Sequence, residues 1–477
     1  MKKFSANDIA ENTGGRIIAG APGTEVSGVS TDTRQPCGGK AFFALSGDNF
    51  DAHDFLGNAA SAGADVLVAE REEAVPAGYG GAVILVPCAL AAYQDLAAWY
   101  RQLIDPTVIA VTGSVGKTTQ KDMIATAAKG SYRMIATEGN YNNHIGVPMT
   151  IFRMEEDTEL LVLEMGMNHE GEIRRLAEIA RPDIAVITNI GISHRENFDS
   201  DEGILNAKLE IAAYFGAGNA LFVNGDDAKL RAHARRSDLA YDVVTAGESE
   251  GCDFRITPPR YSGEEEISFA MQSERNAIVR FTIPAAGLYN GVSAALAASA
   301  LARAGIPESV SAERLRQLTR TDHRLRLIQC GDIKIIDDTY NASPDSMRSA
   351  IDYLASLDGG RKIAVLAGMN ELGKRSSALH RDVGEYAAEA GVDELLAVGE
   401  KGAAIASGFA AAAGSAGGRG ASAKYPSNAD AIDALGRMVK GGDVILVKGS
   451  RAMKTEEIVE ALKSARTETG ARTGGGK

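Results

Sequence analysis

The apolar run Val108-Ile109-Ala110-Val111 stops at a glycine turn, Thr112-Gly113-Ser114-Val115-Gly116, and continues into Lys117-Thr118-Thr119 and a helical segment. A buried strand, a glycine loop and a helix start together make a phosphate cradle. Glycines let backbone N–H groups approach phosphate oxygens, and the helix N-terminus adds partial positive charge. In this reading Gly113, Ser114, Gly116 and Thr119 belong to the loop. Lys117 reaches the β- and γ-phosphates, and the Thr118 hydroxyl ligates Mg²⁺. The spacing departs from the general pattern, because Val111 rather than glycine sits five residues before Gly116. The plain alternative is an ordinary strand-to-helix turn.

Other polar residues follow apolar runs in the same way. Glu164 ends Leu160–Leu163, where a carboxylate near a phosphate loop suits a Mg²⁺ ligand as well as a helix cap or a solvated acid. His194 follows Ile184–Ile187 by way of Thr188-Asn189-Ile190-Gly191-Ile192-Ser193, above the same expected sheet edge. Lys208, taken alone, reads as a surface lysine on a helix. Asp337-Asp338-Thr339-Tyr340-Asn341 offers an acceptor for hydroxyls, an aromatic face and a hydrogen-bonding edge, or else a polar turn punctuated by Asn and Pro. Arg324 and Arg326, just upstream, could bring a guanidinium to a phosphate or stand as surface charges.

Three units must position these groups. Residues 1–104 read as a small mixed α/β unit, with a helix over 89–103 that stops at Asp105-Pro106. In residues 105–318, apolar runs at 108–111, 160–163, 184–187 and 221–223 alternate with helical stretches, the pattern of parallel strands with crossover helices. Gly113, Glu164, Asn189 and Asn224 each follow one of these runs. Ligands of open α/β sheets bind beyond the carboxyl ends of the strands, so one shared site is expected there. Residues 319–464 repeat the alternation at 333–336, 363–366, 395–398 and 444–447. The Ala/Gly/Ser stretch 410–423 reads as a surface loop, and 465–477 as a disordered tail.

At 477 residues the chain exceeds what one core organises. A net charge of −13 argues against nucleic acid or an anionic membrane, because phosphate backbones need clustered Lys and Arg. Cys37, Cys88, Cys252 and Cys330 lie far apart with no C-x-x-C pair, which points to reduced thiols in a cytoplasmic protein. The N-terminus turns polar too soon for a signal peptide, and no run of 18 or more apolar residues predicts membrane insertion.

At this point Thr112-Gly113-Ser114-x-Gly116-Lys117-Thr118-Thr119 resembles the phosphate loop of the Mur ligase family. Further stretches agree through all three units: Asp32-Thr33-Arg34, Gly47 to Asp54, Asn140 to Pro148, Glu371-Leu372-Gly373 and Val447 to Arg451. The stretch Asp337-Asp338-x-Tyr340-Asn341-Ala342-x-Pro344-Asp345-Ser346 resembles one branch in particular, which joins D-alanyl-D-alanine to UDP-N-acetylmuramoyl-tripeptide. The resemblance implies an α/β protein of three domains: a small mixed α/β domain that binds the UDP substrate, a central parallel-sheet ATPase domain and a Rossmann-like C-terminal domain. It implies a monomer that uses ATP and two Mg²⁺ ions to make an acyl phosphate in peptidoglycan precursor synthesis. Glu164 and His194 would help hold Mg²⁺, and Lys208 would carry a CO₂-derived carbamate. Lys117, Lys208 and His194 would serve the chemistry. Asp32, Thr33 and Arg34 would meet the uridine nucleotide, and Asn142 and Asn143 the acyl substrate. Asn290, Arg324, Asp338 and Asn341 would engage ATP.

The chain also departs from the family's habits. Tyr289 and Ser293 stand where His and a second Asn are usual, Ala367-Gly368-Met369 replaces Gly-Asp-Met, and Arg195-Glu196 follows His194. A sister ligase adding a single amino acid, a folylpolyglutamate synthase and a non-catalytic nucleotide-binding module remain alternatives.

Overall fold

The computed structural model describes residues 1–477 except 48–49, 192–195, 199, 273–276, 320–322, 416–419 and 474–477. Each of the three units is built on its own sheet. In the first, Ser5 and Asp8 form a reciprocal cap on the helix Ala6–Thr13, and Gly14 ends it in the left-handed conformation. Its five-stranded sheet runs Arg16–Ala19, Ala82–Leu85, Val66–Ala69, Lys40–Phe43, Gly28–Ser30. The first pair is antiparallel and the others are parallel, the mixed sheet expected.

The helix Ala89–Ile104 closes this unit, and Asp105, left-handed at φ +52°, ends it before Pro106. The helix also binds the first unit to the second. The Tyr93 ring packs at a tilt against Phe152 at 5.3 Å, the Tyr100 hydroxyl donates to the Met154 carbonyl at 2.9 Å, and Arg175 pairs with Asp95 at 2.6 Å. Apolar contact is therefore continuous from Phe4 through Phe43 and Tyr93 to Val108, Ile187 and Leu230, one core under two sheets.

The second unit carries a seven-stranded parallel sheet in the order Met134–Ala136, Leu160–Glu164, Thr107–Thr112, Ile184–Ile187, Ala220–Asn224, Asp242–Gly247, Phe254–Arg255. Thr107–Thr112 lies centrally and is almost wholly buried, because helices cover both faces. An antiparallel sheet of Arg260–Gly263, Glu266–Gln272 and Ile278–Ile283 packs beside it.

The third unit holds six strands in the order Arg326–Cys330, Ile333–Asp338, Val444–Lys448, Lys362–Ala367, Glu394–Val398, Ala421–Tyr425. All pairs but the first are parallel. Two expectations are corrected, the loop at 410–423 and the disordered tail as far as residue 473. The stretch 410–423 supplies the end of the helix Gly399–Ser415 and the start of the edge strand Ala421–Tyr425, because its alanines favour helix wherever a face can be buried. Residues 465–473 extend the helix Glu456–Thr473, their Ala, Arg and Glu content being compatible with helix despite its polarity. Among the described residues no helix is long and apolar enough to cross a membrane. All four cysteines are free.

Candidate active site

The central strand delivers the chain into a loop that only glycine can begin. Gly113 has φ +151°, and a Cβ there would meet the Thr188 hydroxyl oxygen at 1.9 Å. Gly116, at φ +84°, starts the helix Lys117–Ala128. The Asn189 side chain grips the loop from the next strand, accepting from the Val115 N–H at 3.0 Å and donating to its carbonyl at 2.9 Å. Ser114 Oγ accepts from the Gly191 N–H at 2.8 Å. The Lys117 ammonium donates to the Gly113 carbonyl at 2.8 Å. Burial pulls its pKa below the ordinary lysine value, and Glu164, Arg324 and Glu371 act on it by charge, the two acids opposing the shift and the arginine adding to it.

A cavity of about 570 Å³ opens over this loop, with walls from the second and third units. Ser114, Gly116, Lys117, Thr118 and Thr119 form its floor, and Asn142, Asn143 and Glu164 one side. Arg324, Asp338 and Asn341 face them from the third unit. The units touch where Arg324 Nη2 donates to Thr118 Oγ1 at 3.1 Å. Glu164 is 2% exposed. Its Oε1 accepts from Asn142 Nδ2 at 2.7 Å, while its Oε2 is buried with no hydrogen-bond partner. An orphaned carboxylate oxygen that shares a cavity with a threonine at a phosphate loop suits a hard cation such as Mg²⁺.

Lys208 is no surface lysine. It lies near the end of the helix Asp201–Leu209 and is 1% exposed. Among the described residues its ammonium has no hydrogen-bond or ion-pair partner. Burial first, then the charge of Lys117, push its pKa well below the ordinary value, so the two amines lie within electrostatic reach of one another.

The remaining expected residues are spread more widely. Asn143 Oδ1 closes its own turn, accepting from the Ile145 and Gly146 N–H groups. Asn290 sits in an adjoining small cavity with Thr119 and Arg324, donating to the Ala286 carbonyl and leaving its buried Oδ1 without a partner. Asp32, Thr33 and Arg34 lie apart, after the strand Gly28–Ser30 of the first unit, and none of them lines the central cavity. There Arg34 grips Asp32 at 2.8 and 2.9 Å and lowers its pKa to about 2. Asn224, expected at the shared site, lies outside it, its Oδ1 accepting from the Asp226 N–H. Tyr340 lines the cavity, and the Arg324 guanidinium covers one face of its ring at 4.0 Å. His194 falls outside the described residues.

Residue types and spacing had assigned no role to Lys448. It is 2% exposed at the end of an otherwise apolar strand, and it donates to Asp338 Oδ2 and to the Asn341 carbonyl. The signal for it was a lysine closing a fully buried strand. His323 and Leu325 flank Arg324 with φ of +61° and +48°, and Glu371 has φ +63°. Non-glycine residues in this region are strained, and such strain collects at functional sites.

Comparison with known proteins agrees with this geometry. Residues 111–302 match the model of the Mur ligase middle domain, and residues 323–451 that of the Mur ligase glutamate ligase domain. The UDP-N-acetylmuramoyl-tripeptide–D-alanyl-D-alanine ligase of Bacillus subtilis is 38% identical over 97% of this chain and 99% of its own. That of Escherichia coli K12 is 33% identical over 91% of this chain and 93% of its own. The crystal structure of MurF from Acinetobacter baumannii aligns with a TM-score of 0.88 at 29% identity, covering 97% of this chain and 99% of that one. MurF from Thermotoga maritima, solved with ADP, aligns with a TM-score of 0.81 at 27% identity, over 92% and 98% of the two chains.

Proposed function

The chain belongs to the Mur ligase family, and from that membership we propose that it joins D-alanyl-D-alanine to UDP-N-acetylmuramoyl-tripeptide, with conversion of ATP to ADP and phosphate. The observation that carries the reading is the single cavity in which Lys117, Thr118 and Glu164 face Arg324, Asp338 and Asn341. A carboxylate is a poor acyl donor because attack on it would have to expel oxide. Its oxygen therefore first bonds to the γ-phosphorus, the β–γ bridge breaks and ADP leaves. The dipeptide nitrogen then bonds to the acyl carbon, and the C–O bond breaks with its electron pair departing on phosphate. The ammonium gives up two protons to solvent in all, one before its nitrogen can attack and one as the amide forms. For such chemistry the protein supplies position and charge.

Lys117 and Arg324 neutralise the transferring phosphoryl group. Lys448 holds Asp338 and Asn341 toward the nucleotide, and Asn290 marks the slot beside it. Thr118, Glu164, His194 and the Lys208 carbamate would hold Mg²⁺, which when bound supplies positive charge to the phosphates. Carbamate formation needs a neutral amine: R–NH₂ and CO₂ give R–NH–COO⁻ and a proton. The depressed pKa of buried Lys208 keeps that amine available and turns a costly buried cation into a ligand. We assign Asp32, Thr33 and Arg34 to the uridine nucleotide, and Asn142 and Asn143 to the acyl side, with Asn142 also orienting Glu164. We divide the chain into UDP-substrate (1–104), ATP-binding (105–318) and Rossmann-like (319–464) domains, and take the enzyme to act as a cytoplasmic monomer.

The test is turnover of the purified chain with ATP, Mg²⁺ and both substrates. One phosphate is expected per UDP-muramoyl-pentapeptide formed. Absence of that product, or preference for a single amino acid in a panel of amines, would overturn the assignment.

A further inference from the structure

Five carboxylates face the central cavity: Glu164, Glu172, Asp338, Asp345 and Glu371. Glu164 is held by Asn142, Glu172 accepts from the Asn168 N–H at 2.7 Å, and Asp338 is bound by Lys448 and the Leu325 N–H. Asp345 lies against the phosphate-loop side, its Oδ2 2.5 Å from where a Cβ on Gly191 would stand. Glu371 differs from the other four in its backbone, the only left-handed one among the five, and it projects from a loop of the third domain.

The surroundings hold that unfavourable conformation from three directions. The Met369 N–H donates to His380 Nε2 at 2.8 Å, and the Asn370 N–H to Ser450 Oγ at 2.9 Å. Lys401 Nζ reaches Asn370 Oδ1 at 2.9 Å, and Leu372 is buried just beyond. A side chain presented into a cavity at the cost of backbone strain, with its loop so restrained, is a preorganised contact. Glu371 also acts by charge on Lys117, so it lies within electrostatic reach of the phosphoryl-transfer centre from the opposite wall.

The nucleophile must reach that centre carrying an ammonium, and the cations already there (Lys117, Arg324, Lys448) would repel it. We propose that the Glu371 carboxylate receives the ammonium of the incoming dipeptide and aims its nitrogen at the acyl carbon. The proposal rests on the ligase reading above and names the amine subsite within it.

The two can be tested apart with hydroxylamine, a neutral nucleophile that traps acyl phosphate without an ammonium site. In Glu371→Gln the KM for D-alanyl-D-alanine should rise at least tenfold. Hydroxamate formation from ATP and UDP-N-acetylmuramoyl-tripeptide should stay within about threefold of wild type. Glu371→Gly, which removes the carboxylate and the backbone strain together, should behave the same way and guards against misfolding of the first variant. Equal loss in both assays, or an unchanged KM for the dipeptide, would overturn the proposal. A wild-type enzyme that yields no hydroxamate would instead overturn the ligase reading.

Discussion

At the scale of single residues, two buried nitrogens define what this site demands. Lys208 in the carbamate role predicts that Lys208→Ala lowers kcat by at least about a hundredfold, roughly 2.7 kcal/mol of transition-state stabilisation. Acetate or another short carboxylic acid should restore part of it. Activity near wild type in the alanine variant would reject the role. His380 anchors the loop that presents Glu371 by accepting from the Met369 N–H, which requires a neutral imidazole. Burial, reinforced by Lys401, lowers its pKa below 6.5, against the opposing hydrogen bond to the Ser376 carbonyl. Between the lowered value and 6.5 the unfolded chain binds more protons than the folded one. Stability therefore falls as pH drops through that window and is intact above it. Thermal melts from pH 8 to pH 5 should show a smaller decline for His380→Gln than for wild type. Equal slopes would show that His380 does not titrate in this way.

Among the elements, the glycine that opens the phosphate loop is the most constrained. Gly113→Ala should destabilise the chain by about 1–3 kcal/mol through backbone strain and the clash with Thr188. The double variant with Thr188→Ala should recover part of that loss in denaturant melts, and strict additivity would contradict the packing argument. Elements of this buried kind were the ones legible in the amino-acid sequence. Val108–Val111, Ile184–Ile187 and Val444–Val447 are apolar on both faces and bounded by turns, so they stand out as central parallel strands. Met134–Ala136 and Ala421–Tyr425 do not, because edge strands bury less and leave a weaker pattern. The antiparallel sheet 260–283 alternates buried Ile267, Phe269 and Met271 with more exposed neighbours, a period easily lost between flanking helices. The phosphate loop and Glu164 could be read because they directly follow such strands. Lys208 could not, because its burial depends on packing from distant segments, and only the family resemblance singled it out.

In the molecule as a whole, the first two units share one apolar core, whereas the third has two cores of its own, one of which reaches the second unit at Ala286 and at Tyr261, whose ring lies 6.0 Å from that of Tyr353; polar contacts add to this seam. Tyr353 donates to the Glu264 carbonyl at 2.8 Å, Lys334 pairs with Glu264, and Arg324 reaches Thr118 across the nucleotide cavity. Calorimetry without ligand should therefore resolve two transitions, one for the joined first and second units and one for the third. ATP analogues that bridge the cavity should bring them together. A single ligand-independent transition would contradict this. The continuous seam of Tyr93, Phe152 and Tyr100 has a kinetic consequence as well. With the carrier-binding module welded to the nucleotide module, the enzyme works as an anvil and one hammer. Capture of the third reactant is then timed by a single articulation, and a distance reporter spanning the gap should relax with one rate rather than two.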